Sequence, residues 1–134
     1  MSDSNFKWDG VILRCIDART SDAVQVALQE LNLHHCDVIS VAGSVKNIVE
    51  ESLYLLSQVE ISHRLHSPAV IVLFAHEDCG AYGGSQTYGK DPVREQKAHE
   101  QELLHAAKVI HSRFPDMKIV KVYLCLSGEV HFID

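Results

Sequence analysis

Apolar and polar residues alternate in blocks along the chain, and the shorter apolar blocks predict β-strands. Four blocks are rich in β-branched residues and are bounded by polar or glycine-containing segments, which is typical of strands. They cover about residues 10 to 16 and the segments CDVISVAG, SPAVIVLFAH and KIVKVYLCLSG. The run in SPAVIVLFAH is continuously apolar, which indicates a strand buried on both faces. The closing segment, EVHFID, fits a short extra strand at the edge of the sheet.

Three segments between these strands have apolar residues at helical spacing. The first is TSDAVQVALQELNL, for which Ser21 or Asp22 is the expected N-cap. The second predicts one long amphipathic helix from Ser44 to about residue 66. The third predicts a helix over about residues 93 to 114, with a proline at each boundary.

This alternation of strands and helices predicts an α/β fold. We expect one three-layer domain over residues 1–134, with a central, mainly parallel sheet of about four strands in the order 2-1-3-4. A chain of 134 residues that is 46% hydrophobic can form one core but is too short for two ordinary domains. Because no segment approaches the roughly 18 to 20 apolar residues of a membrane span and the start lacks a signal-peptide core, we expect a cytoplasmic protein.

Charge and cysteine content narrow the possible functions. The net charge is −6 and lysine and arginine form no cluster, so we expect neither nucleic acid nor a membrane surface as a partner. Cysteines of a cytoplasmic protein stay reduced, which makes metal binding or catalysis their more informative use. The chain has four of them: Cys15, Cys36, Cys79 and Cys125.

Two predicted strands lead into side chains that bind metals. The first strand delivers Cys15, and the third ends in His76 with Cys79 three residues later. If these strands are neighbours in a parallel sheet, the three side chains converge beyond the strand ends. Two thiolates and one imidazole suit Zn²⁺ and leave its fourth position open. Either cysteine alone would be read as a small core residue, so the prediction depends on the joint arrangement.

Asp17 and Arg19 follow Cys15 at alternate positions. In an extended chain alternate side chains face the same side, so we expect both to face the proposed metal. The simpler alternative is a helix cap and a surface ion pair, which stabilises by at most about 1 kcal/mol. Gly80, with the glycines that follow it, predicts tight turns and close backbone approach near the metal, the alternative being an ordinary loop.

The residues around both strand ends resemble a known family. CIDAR resembles the CxDxR motif of the β-class carbonic anhydrases, and HEDCG resembles their HxxCG motif, in the same order. The segments SVAGS, ESLYLLSQV and VYLCLSGEV are similar to further parts of that family. The resemblance covers most of the chain from about residue 10 onward. It implies one Zn²⁺ per chain, held by Cys15, His76 and Cys79.

The resemblance also implies roles for the neighbouring residues. Asp17 and Arg19 would form the family's dyad, in which the arginine holds the carboxylate beside the metal. Zinc-bound hydroxide would attack carbon dioxide and release bicarbonate and a proton. Tyr54 falls where the family often has an aromatic residue that lines the carbon dioxide pocket, and Gly80 would lie beside that pocket. A tyrosine on a helix is otherwise a plain core residue.

Departures from the family pattern keep two other functions open. The segment before the first strand has only about nine residues, where family members carry helical arms that wrap a partner subunit. One alternative is a non-catalytic zinc-binding module of the same fold. The other is a hydrolase for a different small linear substrate, such as carbon disulfide. Since so small a sheet leaves apolar surface exposed, we expect a homodimer or a larger homo-oligomer.

Overall fold

Five strands form one sheet in the computed structural model, which describes residues 7–134 and leaves residues 1–6 of the predicted domain outside the description. The strand order is β2-β1-β3-β4-β5. The first four strands pair in parallel, and β5 pairs with β4 in antiparallel orientation. The predicted order 2-1-3-4 with an extra edge strand is therefore confirmed. The bounds are β1 Gly10–Arg14, β2 Cys36–Ser40, β3 Val70–His76, β4 Lys118–Leu124 and β5 Val130–Ile133.

Four α-helices connect the strands, and three short 3₁₀ helices shape the loops. The α-helices are α1 Ser21–Glu30, α2 Lys46–Val49, α3 Leu53–His66 and α4 Pro92–Arg113. The 3₁₀ helices are Ala18–Thr20, Gly80–Tyr82 and Ser85–Tyr88. Within residues 7–134, the helices all fall short of the length and apolar character that a membrane crossing requires.

Apolar side chains cover both faces of the sheet and so create three layers. One cluster joins alternate residues of the central strands, such as Val11 and Ile71, to the helices α2, α3 and α4. The other cluster joins the intervening residues, such as Ile12 and Val72, to α1. Because successive strand residues point to opposite faces, a strand that is apolar throughout, such as β3, serves both clusters. β3 is thereby fixed at the centre of the sheet.

The predicted helix from Ser44 to about residue 66 is wrong in its continuity. The structure divides it into α2 and α3, and Glu51 between them adopts a left-handed backbone with φ of 53°. Ser52 explains the break, because its side chain accepts a hydrogen bond from the Leu55 N–H and so caps a new helix. A serine that offers this bond competes with continuation of the preceding helix.

Two boundaries near the first strand also differ from prediction. β1 ends at Arg14, so the predicted strand is two residues too long, and the chain turns into the 3₁₀ helix Ala18–Thr20. Neither Ser21 nor Asp22 is the N-cap. The N-cap of α1 is Thr20, whose side chain makes no capping hydrogen bond. The preceding 3₁₀ helix is capped by Asp17, which accepts a hydrogen bond from the Arg19 N–H. The expected extended alternation of side chains is therefore replaced by a tight turn.

Candidate metal centre

Three metal-binding side chains meet where β1 and β3 end, and we call them the strand-end group: Cys15, His76 and Cys79. β1 and β3 are parallel neighbours, so Cys15, just past β1, lies beside the end of β3. One donor atom from each residue lies within 4.8 Å of the others. All three are buried. The sequence prediction that these residues converge thus agrees with the structure.

His76 has the ring state that metal binding requires. Its Nδ1 lies 2.6 Å from the carbonyl oxygen of Glu77, and in the neutral ring Nδ1 is then the donor. The lone pair is left on Nε2, which is buried and has no hydrogen-bond partner among the described residues. Burial lowers the pKa of His76, which favours the neutral ring. A buried lone pair without a donor is what a metal ion would satisfy.

The two thiols complete a donor set that fits zinc. Burial raises the pKa of Cys79, and the adjacent thiol of Cys15 raises it further, so the Cys79 thiolate needs a nearby cation. Zn²⁺ binds sulfur at about 2.3 Å and histidine nitrogen at about 2.0 Å, so its ligands lie roughly 4 Å apart. The strand-end group is close to that spacing. The three residues could therefore hold a metal ion, and their chemistry matches Zn²⁺.

Arg19 holds the Asp17 carboxylate at the edge of the strand-end group. The Arg19 Nε–H donates to both carboxylate oxygens at 3.1 Å, and a terminal N–H donates to Oδ2 at 2.7 Å. Oδ2 lies 4.0 Å from His76 Nε2. The hydrogen bonds from Arg19 lower the pKa of Asp17 to about 2, so the carboxylate is ionised at neutral pH.

Arg19 also binds Asp78, a residue for which the sequence offers no prediction. Its terminal N–H groups donate to Asp78 Oδ2 at 3.2 Å and to the Asp78 carbonyl oxygen at 3.1 Å. Asp78 lies between His76 and Cys79 and adopts a left-handed backbone with φ of 56°. Its other carboxylate oxygen accepts from the Ser85 N–H. Arg19 therefore joins the loop after β1 to the loop after β3.

Glu95 holds the loop after β3 in place through a hydrogen bond to its backbone. Its side chain is only 2% exposed, and its Oε2 accepts a hydrogen bond of 2.7 Å from the Asp78 N–H. Glu95 lies on α4 at helical spacing from His99 and Leu103, two other buried residues. Glu95 could have been identified from the sequence, because it is an acidic residue at the same helical spacing as buried apolar residues. A buried carboxylate needs a hydrogen-bond donor.

Arg14 fixes the loop that carries Cys15 and Asp17. Its guanidinium donates to the carbonyl oxygens of Cys15 at 2.9 Å and of Asp17 at 3.1 Å. It also donates to the Thr20 hydroxyl at 3.2 Å. These contacts satisfy carbonyl groups where β1 has ended and no strand partner is available, which is how the tight turn keeps its shape.

A buried histidine, His99, lies among three tyrosine rings. It is 1% exposed, and its ring centroid lies 4.9 Å from Tyr82, 5.5 Å from Tyr88 and 5.7 Å from Tyr123. Burial, with a smaller effect from His76, lowers the pKa of His99 to about 4. His99 is therefore a neutral packing residue at physiological pH.

The two predicted pocket residues are placed differently from each other. Gly80 follows Cys79 directly, but a Cβ atom there would meet nothing within 4 Å, so close approach within this chain does not require the glycine. The tight turn is made by the glycines after it, Gly83 and Gly84, at φ of 88° and 75°. Tyr54 lies on α3 and is 70% exposed. A pocket role for Gly80 or Tyr54 stays a prediction.

Comparison with known families identifies the chain. Residues 5–134 match the model of the family described as "Putative carbonic anhydrase". The chain belongs to this carbonic anhydrase family. The match agrees with the resemblance of CIDAR and HEDCG to β-class motifs, and it includes the whole strand-end group.

Solved β-carbonic anhydrases share the fold of this family member. Isoform I from Trichomonas vaginalis is 17% identical, with a TM-score of 0.64 and coverage of 99% of this chain and 87% of that chain. A crystal structure of tetrameric β-carbonic anhydrases from Sordaria macrospora gives 14% identity, a TM-score of 0.68, and coverage of 96% and 81%. At such identities the likeness shows the fold alone.

Curated relatives with a closer sequence come from Rickettsia. A Rickettsia bellii protein described as uncharacterized is 26% identical over 131 residues, which span 92% of this chain and 80% of that protein. A Rickettsia conorii protein, described in the same way, is 27% identical over 133 residues, which span 92% and 70%. Both relatives are longer than the present chain.

Proposed function

We propose that this protein catalyses the zinc-dependent, reversible hydration of carbon dioxide to bicarbonate and a proton. One observation carries the proposal: a buried Cys2His donor group has an ionised carboxylate, Asp17, fixed beside it by an arginine. Zinc bound there would lower the pKa of a water towards about 7 and so supply hydroxide at neutral pH. Cys15, His76 and Cys79 would hold the ion.

Asp17 would orient the attacking oxygen. An ionised carboxylate can only accept hydrogen bonds, so an oxygen that donates a hydrogen bond to Asp17 turns a lone pair away from it and towards the substrate. Arg19 occupies Asp17 with three side-chain hydrogen bonds and limits its rotation. The carboxylate is therefore set before substrate arrives, which reduces the cost of orientation in the transition state.

Asp78 and Glu95 would act as positioning residues for this arrangement. Asp78 accepts from Arg19, and its backbone N–H is held by the buried Glu95. The Arg19 side chain is 51% exposed, so the ion pair with Asp17 contributes little to stability and its value lies in geometry. The contacts with Asp17 and Asp78 hold the Arg19 guanidinium in one orientation towards the strand-end group.

The pKa of Asp17 sets an expectation for the pH profile. Because the folded pKa of about 2 lies below the ordinary 3.8, the carboxylate stays ionised as pH falls, until the pH approaches 2. The contact between Asp17 and Arg19 is fully present above pH 4 and is lost only towards pH 2. Any change in hydration rate between pH 7 and 9 would therefore not come from protonation of Asp17.

We extend the proposal to a homo-oligomer in a reducing, cytoplasmic environment. Large apolar side chains are exposed beside the site and on α3: Ile16 at 62%, Leu53 at 81% and Tyr54 at 70%. Tyr54 could line a substrate pocket only if a second copy of the chain covered it. The proposed zinc site needs reduced thiols, which a reducing compartment maintains. Light scattering after size exclusion would measure the mass, and a monomer at micromolar concentration would contradict the assembly.

Stopped-flow carbon dioxide hydration tests the proposed activity. The measurement uses protein shown to carry zinc in the strand-end group, from pH 7 to 9, beside the variants Asp17→Asn and Asp116→Asn. We expect hydration in the native protein and a loss of about 10²-fold in kcat/KM for Asp17→Asn, with zinc retained. Asp116 is a control because its carboxylate contacts His63 on the surface, and its variant should match the native rate.

The outcomes separate the proposed enzyme from the two alternatives. Zinc-loaded native protein without hydration at any pH would contradict the proposal and leave a zinc-binding module of carbonic anhydrase fold. Turnover of carbon disulfide in the absence of carbon dioxide hydration would identify the hydrolase. Equal rates for the native protein and Asp17→Asn would remove Asp17 from the mechanism while leaving zinc chemistry intact.

A further inference from the structure

A second set of metal-binding side chains lies on the turn between β4 and β5. We call it the hairpin group: Cys125, Glu129 and His131. One donor atom from each residue lies within 4.8 Å of the others. The residues have no part in the function proposed above. Cys125 and His131 are half-buried and Glu129 is exposed, so an ion could enter from solvent.

The pairing of the two strands explains why these three side chains meet. In the antiparallel register, Tyr123 lies opposite His131 and Leu124 lies opposite Val130. The next pair is Cys125 and Glu129, which is closed by a hydrogen bond of 2.9 Å from the Cys125 N–H to the Glu129 carbonyl oxygen. Because strand residues two apart face the same side, Cys125, Glu129 and His131 share one face of the hairpin.

Backbone contacts hold the hairpin in this form. The Gly128 N–H donates to the Cys125 carbonyl oxygen at 3.0 Å, and Gly128 adopts a φ of 101°, a conformation that glycine adopts readily. The Leu126 N–H donates to Glu77 Oε1 at 2.9 Å, which anchors the turn to the loop after β3. Because the hairpin backbone is already fixed, little conformational entropy would be lost when the three donors bind an ion.

Charge around Cys125 favours a bound cation. Two carboxylates belong to this region: Glu129, one donor of the group, and Glu77, whose Oε1 accepts a hydrogen bond from the N–H of the residue after Cys125. His131 Nε2 already lies 3.6 Å from Glu129 Oε1. A divalent cation would accept the sulfur and nitrogen lone pairs and take a carboxylate oxygen of Glu129 as a third ligand. The thiol proton would be released to solvent on binding.

We infer that Cys125, Glu129 and His131 form a second divalent-metal site, separate from the strand-end group. Sulfur, imidazole and carboxylate together select a borderline-soft ion that accepts tetrahedral geometry, which is Zn²⁺ or its spectroscopic substitute Co²⁺. Three protein ligands leave the fourth position to water. An ion held there joins the edge strand β5 to the end of β4, beside the loop that Glu77 anchors.

Metal content measured at equilibrium tests the site on the full chain. After dialysis against buffered free zinc, the native protein should carry two ions per chain, and Cys125→Ala and His131→Ala should each carry one. Cys36→Ala is the matched control, since Cys36 is also half-buried on a strand, and it should carry two. Equal metal content in the native protein and in Cys125→Ala would overturn the inference.

Cobalt binding gives a second readout that does not depend on hydration activity. In a Cys79→Ser background the thiolate-to-cobalt absorption that remains should vanish on adding Cys125→Ala. Glu129→Gln covers the case in which the other variants fail to fold, because the side chain of Glu129 is 71% exposed. It should weaken cobalt binding at least about tenfold, since even outer contacts to metal ligands cost that much. Unchanged cobalt affinity would contradict the site, whatever the hydration assay shows.

Discussion

The strand-end group and the hairpin group contain similar donors but are built in different ways. Cys15 and His76 lie far apart in sequence and meet because β1 and β3 are neighbours in the sheet. Cys125, Glu129 and His131 lie within seven consecutive residues, and one hairpin brings them together. The first group is at most 7% exposed, whereas Glu129 in the second has a side-chain exposure of 71%.

The difference lies mainly in the contacts around the donors. The strand-end group has Arg14 and Glu95 to hold its loops, and Arg19 to hold the carboxylate of Asp17. The hairpin group has a fixed backbone, but the structure records no matching arginine and carboxylate pair in the described residues near it. Donor identity alone therefore supports metal binding, and the surrounding contacts are what support the proposed catalysis in the first group.

The substitution Cys79→Ser should produce the largest effect and separates the two groups directly. Removing a buried thiolate should abolish zinc binding by the strand-end group and carbon dioxide hydration with it, because three protein ligands define the site. The hairpin group should keep its ion. Metal analysis and stopped-flow hydration of the same preparation check both statements, and full hydration in Cys79→Ser would refute the assignment of the site.

Replacement of Arg19 tests whether the supporting contacts matter for catalysis. Arg19→Ala should lower kcat/KM by about 10²-fold with zinc retained, since a carboxylate that is free to rotate no longer orients the reacting oxygen. The pKa of Asp17 should rise towards its ordinary 3.8. Asp17 would still be ionised at pH 7, so the loss reflects orientation rather than charge.

Two further variants sharpen the measurement on Arg19. Arg19→Lys should recover little activity, because a single ammonium cannot replace the fork that contacts both Asp17 and Asp78. Arg64→Ala, an exposed arginine on α3, is the matched control and should keep the native rate. Native activity in Arg19→Ala would show that the strand-end group works without the dyad.

Glu95→Ala should disturb the loop between His76 and Cys79, although Glu95 is not a member of the strand-end group. The change leaves the part-buried Asp78 N–H without its acceptor and creates a cavity at the buried Glu95 position, at a cost of about 3 kcal/mol in the free energy of unfolding. A shift of the loop should also lower hydration about tenfold. Glu95→Gln keeps an acceptor oxygen and should restore most of both quantities. Chemical denaturation and stopped-flow hydration check them, and a stable, fully active Glu95→Ala would contradict the positioning role.

The smallest expected effect concerns His99, which lies in the buried aromatic region next to the strand-end group and the hairpin group. Its ring stacks on Tyr123, whose ring contacts His131. The folded pKa of about 4 lies below the ordinary 6.5, so the unfolded chain binds a proton first as pH falls. Stability is therefore retained above pH 6.5 and declines towards pH 4, by roughly 3 kcal/mol at most.

The substitution His99→Phe should flatten that pH dependence. Phenylalanine fills the aromatic surroundings and cannot titrate, so the free energy of unfolding of the variant should change less than that of the native protein between pH 6.5 and 4. Denaturation at several pH values, each with the same metal load, measures the difference. An identical pH dependence in both proteins would show that His99 is not the buried group that responds.

Much of the fold and the donors of the strand-end group can be predicted from the sequence. The period of the apolar residues indicates each strand and the helices α1 and α4, because burial on one face leaves a local pattern. The break before α3 is hidden, since the apolar spacing continues across it and only Ser52 marks the new start. The thiols and imidazole are identifiable because few other residue types bind zinc.

Sequence by itself determines which groups are present: the cysteines, the histidine, the CIDAR and HEDCG segments, and the order of strands and helices. Only the tertiary structure decides that His76 keeps its Nε2 lone pair towards the buried site, that Arg19 spans two loops, and that Glu95 holds Asp78. The reason is physical. Periodicity records local burial, whereas these contacts depend on backbone turns and on the approach of residues that the chain places far apart.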